Sequence, residues 1–164
     1  MNDVIERILV TEEEIIKRSK ELGAVITQDY RDAGKTPIVV GLLKGSVPFL
    51  AEIMKHIDLD IEIDFMDVSS YDGAQSVGDV KINKDLDKSV KGESILLVED
   101  IVDTGRTTKE VKKLLLPKGA ADVTIVSLLD KPSRRVIEIQ ADYVGFEPPN
   151  ELVVGYGPGC EQKY

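Results

Sequence analysis

The sequence has 164 residues, is 42% hydrophobic and 31% charged, and carries a formal net charge of −9 with a pI ≈ 4.7. That length suits one domain with a real core, and the acidic balance disfavours broad attraction to nucleic acid or to anionic membranes. An aromatic share of 5% with no Trp leaves little for a base-stacking nucleic-acid platform. An anionic substrate then needs a local site of backbone N–H groups, a Lys or Arg, or a metal ion. Cys160 is the only cysteine, which excludes an intrachain disulfide or a cysteine metal site and suits a reducing compartment. The opening stretch MNDVIERILVTEEE has early acids and no long apolar run, so it does not read as a signal peptide. The longest apolar runs, near 38–43 and 95–98, are too short to span a bilayer, and a cytoplasmic protein is expected.

In chain order, Thr11 followed by Glu12, Glu13 and Glu14 is a capping-box start, and Ile15, Ile16, Ser19, Leu22 and Ile26 recur at helical spacing, which predicts a helix over 12–30. Pro37 opens IVVGLL, a strand over 38–43 buried on both faces, and a helix over 47–56 follows. IEIDFMDVSSY alternates apolar and polar residues and predicts a strand over 61–71. The polar segment 72–79 has no periodicity and reads as a flexible loop before a strand at 80–82. A strand at 95–98 leads through EDIVDTG into a helix over 106–116, which Pro117 and Gly119 stop. Further strands are expected at 123–129, 143–144 and 152–154. Strands alternating with helices predict an α/β domain with a mainly parallel sheet flanked by helices.

In such a sheet ligands sit beyond the C-terminal strand ends, which is where LVEDIVDTGRTT (97–108) falls. Gly105 permits a tight turn with positive φ, and the N–H groups that follow open a helix whose dipole favours an anion. Thr104, Thr107 and Thr108 add hydroxyls suited to phosphate oxygens, while the adjacent Glu99 and Asp100 can accept hydrogen bonds from vicinal hydroxyls. Diol acceptors beside a phosphate cradle suit a sugar phosphate; the competing reading is an ordinary helix cap behind solvated acids. His56, the only histidine, reads as a helix-end or surface residue. Gly155, Gly157 and Gly159 read as a turn, since no helix follows them.

VEDIVDTGRT (98–107) is similar to the signature of type I phosphoribosyltransferases that use phosphoribosyl pyrophosphate (PRPP), closest to the hypoxanthine-guanine branch, and the resemblance runs over about 10–156. It implies the type I phosphoribosyltransferase fold over the whole of 1–164 as a single domain, with a small hood from the N- and C-terminal segments. It also implies that Glu99 and Asp100 hold the ribose hydroxyls and a Mg²⁺ ion, and that the loop of Asp103, Thr104, Gly105, Arg106, Thr107 and Thr108 holds the 5′-phosphate. Asp103 is then the general base toward a 6-oxopurine, its basicity expected to be raised by the nearby acids. LLKGSVPF (42–49) resembles the family's pyrophosphate loop, with Lys44 and Gly45 as binding residues and a non-proline cis peptide expected between Leu43 and Lys44. SSYDGAQSVGDVKI (69–82) resembles the mobile lid, with Ser70 and Tyr71 at its tip. In LLDKPSRR (128–135) the resemblance gives Lys131 the exocyclic oxygen of the base; in ADYVGFE (141–147) it gives Tyr143 the stacking role and Val144 the base edge. A homodimer or homotetramer is implied, with no membrane or nucleic-acid partner.

The pattern departs in two places. Asn150 stands where the family commonly has an Asp that helps hold magnesium, and no Arg follows Gly157 where the family has one touching pyrophosphate. The expected reaction is transfer of phosphoribose from Mg-PRPP to hypoxanthine or guanine, giving IMP or GMP and pyrophosphate. The competing readings are a xanthine-guanine preference and a regulator that keeps the PRPP site but binds RNA. The latter needs a concentrated basic face, whereas Lys and Arg are scattered here.

Overall fold

The computed structural model describes residues 8–70, 80–148 and 152–154. Its elements, in order, are β1 (Ile8–Val10), α1 (Glu12–Ala33), β2 (Ile38–Leu42), α2 (Val47–Ile53), β3 (Glu62–Ser70), β4 (Val80–Lys84), β5 (Ser94–Val102), α3 (Arg106–Leu115), β6 (Asp122–Asp130), β7 (Tyr143–Phe146) and β8 (Leu152–Val154). Short 3₁₀ turns cover Met54–His56 and Pro132–Arg134. Among the described residues no helix is long and apolar enough to cross a membrane.

A six-stranded sheet runs in the order β4-β3-β2-β5-β6-β7, parallel throughout except for the antiparallel β3–β4 pair. From β2 the chain builds outward to β3 and β4 on one side, then returns to place β5, β6 and β7 on the other. The order therefore reverses between β2 and β5, and the crevice for a ligand lies beyond their C-terminal ends. Separately, β1 and β8 form a two-stranded parallel sheet that joins the two ends of the chain.

Two apolar layers sandwich the main sheet. On one face Val39, Leu96, Val98, Val126 and Leu128 pack with Ile15, Leu22 and Ile26 of α1 and with Phe49, Leu50 and Ile53 of α2. On the other, Ile38, Val40, Ile95, Leu97 and Ile125 pack with Val111 and Leu115 of α3. The predicted capping box is present: the Glu14 N–H donates to Thr11 Oγ1 at 3.1 Å and the Thr11 N–H to Glu14 Oε1 at 3.0 Å. The Thr11 N–H and hydroxyl, both donating to Glu14 Oε1, hold the exposed Glu14 carboxyl below its usual range. The first helix runs three residues beyond Tyr30, to its left-handed cap at Gly34. The second is shorter than expected, because its last turn tightens to 3₁₀ where His56 Nε2 meets Glu52 Oε2 at 2.8 Å.

Gly23 is the point where α1 crosses that turn. A Cβ there would lie 2.5 Å from both the Cβ and the carbonyl oxygen of His56. Gly23→Ala gains about 1 kcal/mol of helix propensity but must push the two elements apart, at a cost of roughly 1–3 kcal/mol. The net expectation is a lower urea midpoint; a midpoint unchanged or raised would show that the contact yields freely.

Candidate active site

The two loops that meet at the sheet reversal come from β2 and β5. After β2 the chain turns through Leu43, Lys44 and Gly45, with the expected cis peptide between Leu43 and Lys44. The turn is tied down at both sides: the Leu43 N–H donates to Met66 O at 2.8 Å, and Ser46 Oγ donates to Leu42 O at 2.6 Å. Lys44 itself is exposed and its ammonium has no partner among the described residues. A Cβ on Gly45 would sit 2.5 Å from Asp100 Oδ2, so the backbone of this turn lies directly against the Asp100 carboxylate. A side chain on residue 45 would have to push that carboxylate aside.

β5 is longer than predicted and carries both acids inside the strand. They face different ways. Val98 and Ile101, three residues apart, pack on the same face, whereas strict alternation would put them on opposite faces. The pleat therefore slips by one residue around Glu99 and Asp100. Asp100 is half-buried, turned to the Gly45 loop, and accepts the Ile101 N–H at 2.9 Å. Glu99 is buried on the α3 side, where Thr108 Oγ1 donates to its Oε2 at 2.6 Å. Desolvation pushes the Glu99 carboxyl up to about 8; the Thr108 hydrogen bond pulls it down, and repulsion from Asp100 adds to the rise. The pair is thus one buried acid and one accessible acid, not two equivalent acceptors.

Past β5 the chain makes a tight turn and starts α3. Gly105 has φ 90°, the left-handed conformation expected of it, and as N-cap offers no side chain; the Arg106 N–H makes a long 3.4 Å bond to Thr104 Oγ1. The opening N–H groups of α3 therefore point toward the crevice with the positive end of the helix dipole. Thr107 and Arg106 are exposed beside them, and Thr104 is half-buried. Thr108 departs from its expected role, since its hydroxyl is committed to Glu99 and only its main chain remains for a phosphate.

The turn after β6 is stitched alongside this loop. The Lys131 N–H donates to Val102 O and the Val136 N–H to Thr104 O, both at 3.0 Å. Arg135 is the staple: its Nη1 donates to Val102 O, Asp103 O and Lys131 O at 3.1–3.2 Å, its Nη2 to Asp130 Oδ1 at 2.6 Å, and its Nε to Ile139 O at 3.0 Å. Asp103 and Lys131 are held side by side by main-chain bonds. The Asp103 carboxylate is met by a cation, Arg134, whose Nε donates to Oδ1 at 2.7 Å. The Lys131 ammonium has no partner among the described residues.

On β7, Tyr143 packs against the core layer under α1, and its hydroxyl donates to Asp29 Oδ2. Burial and the Asp29 carboxylate push its phenol up. The Val144 carbonyl accepts from Arg18 Nη2 at 2.8 Å, and Arg18 Nε also reaches Gly145 O at 3.0 Å. A cleft of about 380 Å³ lies below these strand ends, lined by Asp130, Arg135, Ile139 and Val144 among others, but not by Asp103 or Lys131. The sequence reading missed Arg18, Arg134 and Arg135. The basic doublet after Pro132 was visible in LLDKPSRR, but nothing local says which carbonyls a guanidinium will reach. Ser70 is exposed at the end of β3, opposite Val80 of β4. Tyr71, the lid residues 72–79, Asn150 and the glycine string from Gly155 to Gly159 lie outside the described residues.

Among the described residues no group of three or more His, Cys, Asp and Glu side chains is placed to hold a metal ion. Magnesium is commonly held by one or two carboxylates while substrate oxygens and water complete its shell, and an accessible Asp100 beside Glu99 fits that arrangement.

Comparison with known proteins agrees with this geometry. A family model described as a phosphoribosyl transferase domain matches residues 9–159. The chain is 56% identical, over 165 residues, to the hypoxanthine-guanine phosphoribosyltransferase of Lactococcus lactis subsp. lactis (strain IL1403), an alignment covering 100% of this chain and 88% of that protein. It is 52% identical over 161 residues to the protein of the same name from Streptococcus mutans serotype c, covering 98% of this chain and 88% of that one. Among solved structures, a hypoxanthine-guanine phosphoribosyltransferase from Bacillus anthracis superposes with a TM-score of 0.88 at 38% identity, covering 97% of this chain and 93% of the other. A hypoxanthine phosphoribosyltransferase from Staphylococcus aureus gives 0.82 at 46% identity, covering 89% of this chain and 80% of that one. By this match over most of its length, the chain belongs to the type I phosphoribosyltransferases, in their hypoxanthine-guanine branch.

Proposed function

We propose that the crevice transfers a 5-phosphoribosyl group from Mg-PRPP to hypoxanthine or guanine, yielding IMP or GMP and pyrophosphate in purine salvage in the cytoplasm. The observation that carries this reading is the meeting, at one sheet reversal, of a glycine turn, an acid pair and a glycine-led helix start. These are three different kinds of partner, for pyrophosphate, ribose hydroxyls and 5′-phosphate respectively.

Asp100 and Glu99 orient the ribose hydroxyls. The α3 start, with Thr104, Gly105, Arg106, Thr107 and the main chain of Thr108, takes the 5′-phosphate. Lys44 and the Gly45 backbone take pyrophosphate. Asp103 accepts the proton from the purine ring nitrogen as that nitrogen bonds to the anomeric carbon; the bond to pyrophosphate breaks and its electron pair leaves with that oxygen. Lys131 donates to the exocyclic oxygen of the base, which selects a 6-oxopurine over adenine. Tyr143 supplies the stacking face and Val144 the base edge, its carbonyl already oriented by Arg18. Magnesium, held by Asp100 and Glu99 with the substrate's own oxygens, would offset the charge of PRPP. Segment 69–82, with Ser70 and Tyr71, would close over the site and exclude water from an oxocarbenium-like sugar. The chain would act as a single domain with a hood near the β1–β8 pair, in a homodimer or homotetramer.

A coupled assay for pyrophosphate release, run with each common nucleobase with and without Mg²⁺, tests the reaction. Hypoxanthine and guanine are expected to turn over and adenine to fail; a preference for xanthine would move the chain to the neighbouring specificity. Asp103→Asn is expected to lower kcat about 100-fold or more, the usual weight of a general base. Unchanged turnover would remove that assignment.

Glu99 gives a second test, independent of catalysis. Its folded pKa of about 8 lies above the ordinary 4.5, so the folded state binds the proton more tightly than the unfolded chain. Its contribution to stability is therefore complete below about pH 4.5 and is lost as pH rises through 8, at about 1 kcal/mol per pH unit in between. Glu99→Gln keeps an acceptor for Thr108 without the charge. In metal-free buffer the variant should melt several degrees above the parent at pH 8 and close to it at pH 5, scaled by about 2–4 °C per kcal/mol. Parallel pH curves for the two proteins would mean that Glu99 carries its charge without penalty.

A further inference from the structure

LLDKPSRR ends in two adjacent arginines with different surroundings. Arg135 is mostly buried and spends its donors on main-chain carbonyls and Asp130. Arg134 points outward, 55% exposed, and makes one side-chain contact, through Nε to Asp103 Oδ1 at 2.7 Å. Its two terminal nitrogens have no partner among the described residues, and neither has Asp103 Oδ2.

Stability does not account for this pair. Exposed ion pairs contribute about 0–1 kcal/mol, and the two loops are already joined by two main-chain hydrogen bonds and by Arg135. Its geometry does have a consequence for chemistry. A carboxylate at a loop tip rotates about χ2 and offers either oxygen. A donor fixed on Oδ1 stops that rotation and leaves Oδ2, which has no partner among the described residues, as the oxygen open to a proton.

Arg134 is well placed to be such a fixed donor. Pro132 opens the 3₁₀ turn that carries it, the Arg134 N–H donates to Lys131 O at 2.9 Å, and the turn is anchored to Val102 and Thr104 at its two ends. The alternative use of Arg134, as a phosphate ligand, would take it off Asp103.

We infer that Arg134 is a positioning residue for the reaction: it holds Asp103 by one oxygen so that the other is aimed at the proton of the incoming purine. This rests on Asp103 being the general base. The effect should appear in kcat, not in the KM for PRPP, because the contact orients the base without touching the donor.

The test is a cycle of Arg134→Ala, Asp103→Asn and the double variant, with Arg134→Lys as the conservative partner. Steady-state and single-turnover kinetics are measured with PRPP and hypoxanthine. Arg134→Ala should lower kcat about tenfold, a modest part of the 100-fold or more that a misplaced or missing base costs, with KM for PRPP within about twofold. Arg134→Lys, which keeps a charged donor, should recover part of the loss. In the Asp103→Asn background Arg134→Ala should cost nothing further, since there is no base left to aim.

Equal fold-losses in both backgrounds, or a raised KM for PRPP at unchanged kcat, would overturn the inference while leaving Asp103 as base. Unchanged turnover of Asp103→Asn alone would overturn the base assignment and the inference with it. Arg134 lies on the surface, so each variant should keep the parent melting temperature, which separates these outcomes from misfolding.

Discussion

Everything in the site depends on how closely the turn after β2 approaches the end of β5. Asp100 Oδ2 lies where a side chain on residue 45 would begin. That contact is possible because the sheet reverses its order between these two strands, leaving both ends open to the same crevice. It brings the proposed pyrophosphate turn and the proposed ribose acids into one volume. A side chain at residue 45 would have to displace the Asp100 carboxylate, the acid proposed for the ribose. The fold positions the chemistry through a backbone approach, and the side chains then divide the labour.

An acidic protein has to handle a highly anionic donor with local charge. Lys44, Arg106 and Lys131 are the cations on the loops at these strand ends, with the glycine-led start of α3 among them. Against them stand Glu99, Asp100 and Asp103. Burial of Glu99 softens the conflict: desolvation pushes its carboxyl up to about 8, which favours the neutral form and lessens the repulsion that the sequence suggests. The cost is a buried, desolvated acid with one hydroxyl for company, a local loss of stability of the kind that functional sites impose.

Most of the fold could be read from the sequence because local signals agreed with the tertiary result. The capping box at Thr11, the apolar run of β2, and the Pro117 and Gly119 stop after α3 each needed no distant partner. What escaped needed one. β1 is three residues long and exists only through its pairing with β8, at the other end of the chain. β5 looked finished at Val98 because polar residues follow; it continues because Thr108, on the next helix, satisfies the acid buried there. The same bond explains why the hydroxyl of Thr108, assigned to phosphate by residue type alone, faces inward.

The site residues divide in the same way. The Lys-Gly turn lies against Asp100 at the sheet reversal, and the residues of the DTG signature follow on the same chain. Those that set their orientation were invisible, because a guanidinium reaching main-chain carbonyls leaves no pattern in sequence: Arg18 acts from α1 on Val144 and Gly145 more than a hundred residues away. Arg135 similarly joins the loops of Asp103 and Lys131. Asp103 and Lys131, the proposed proton acceptor and base-selecting cation, thus belong to one stapled unit, not to two independent loops. In the roles proposed for them, a purine that reaches Lys131 with its oxygen would thereby be registered against Asp103. Selection of the base and activation of its nitrogen would then be a single geometric event, set by the staple that joins the two loops.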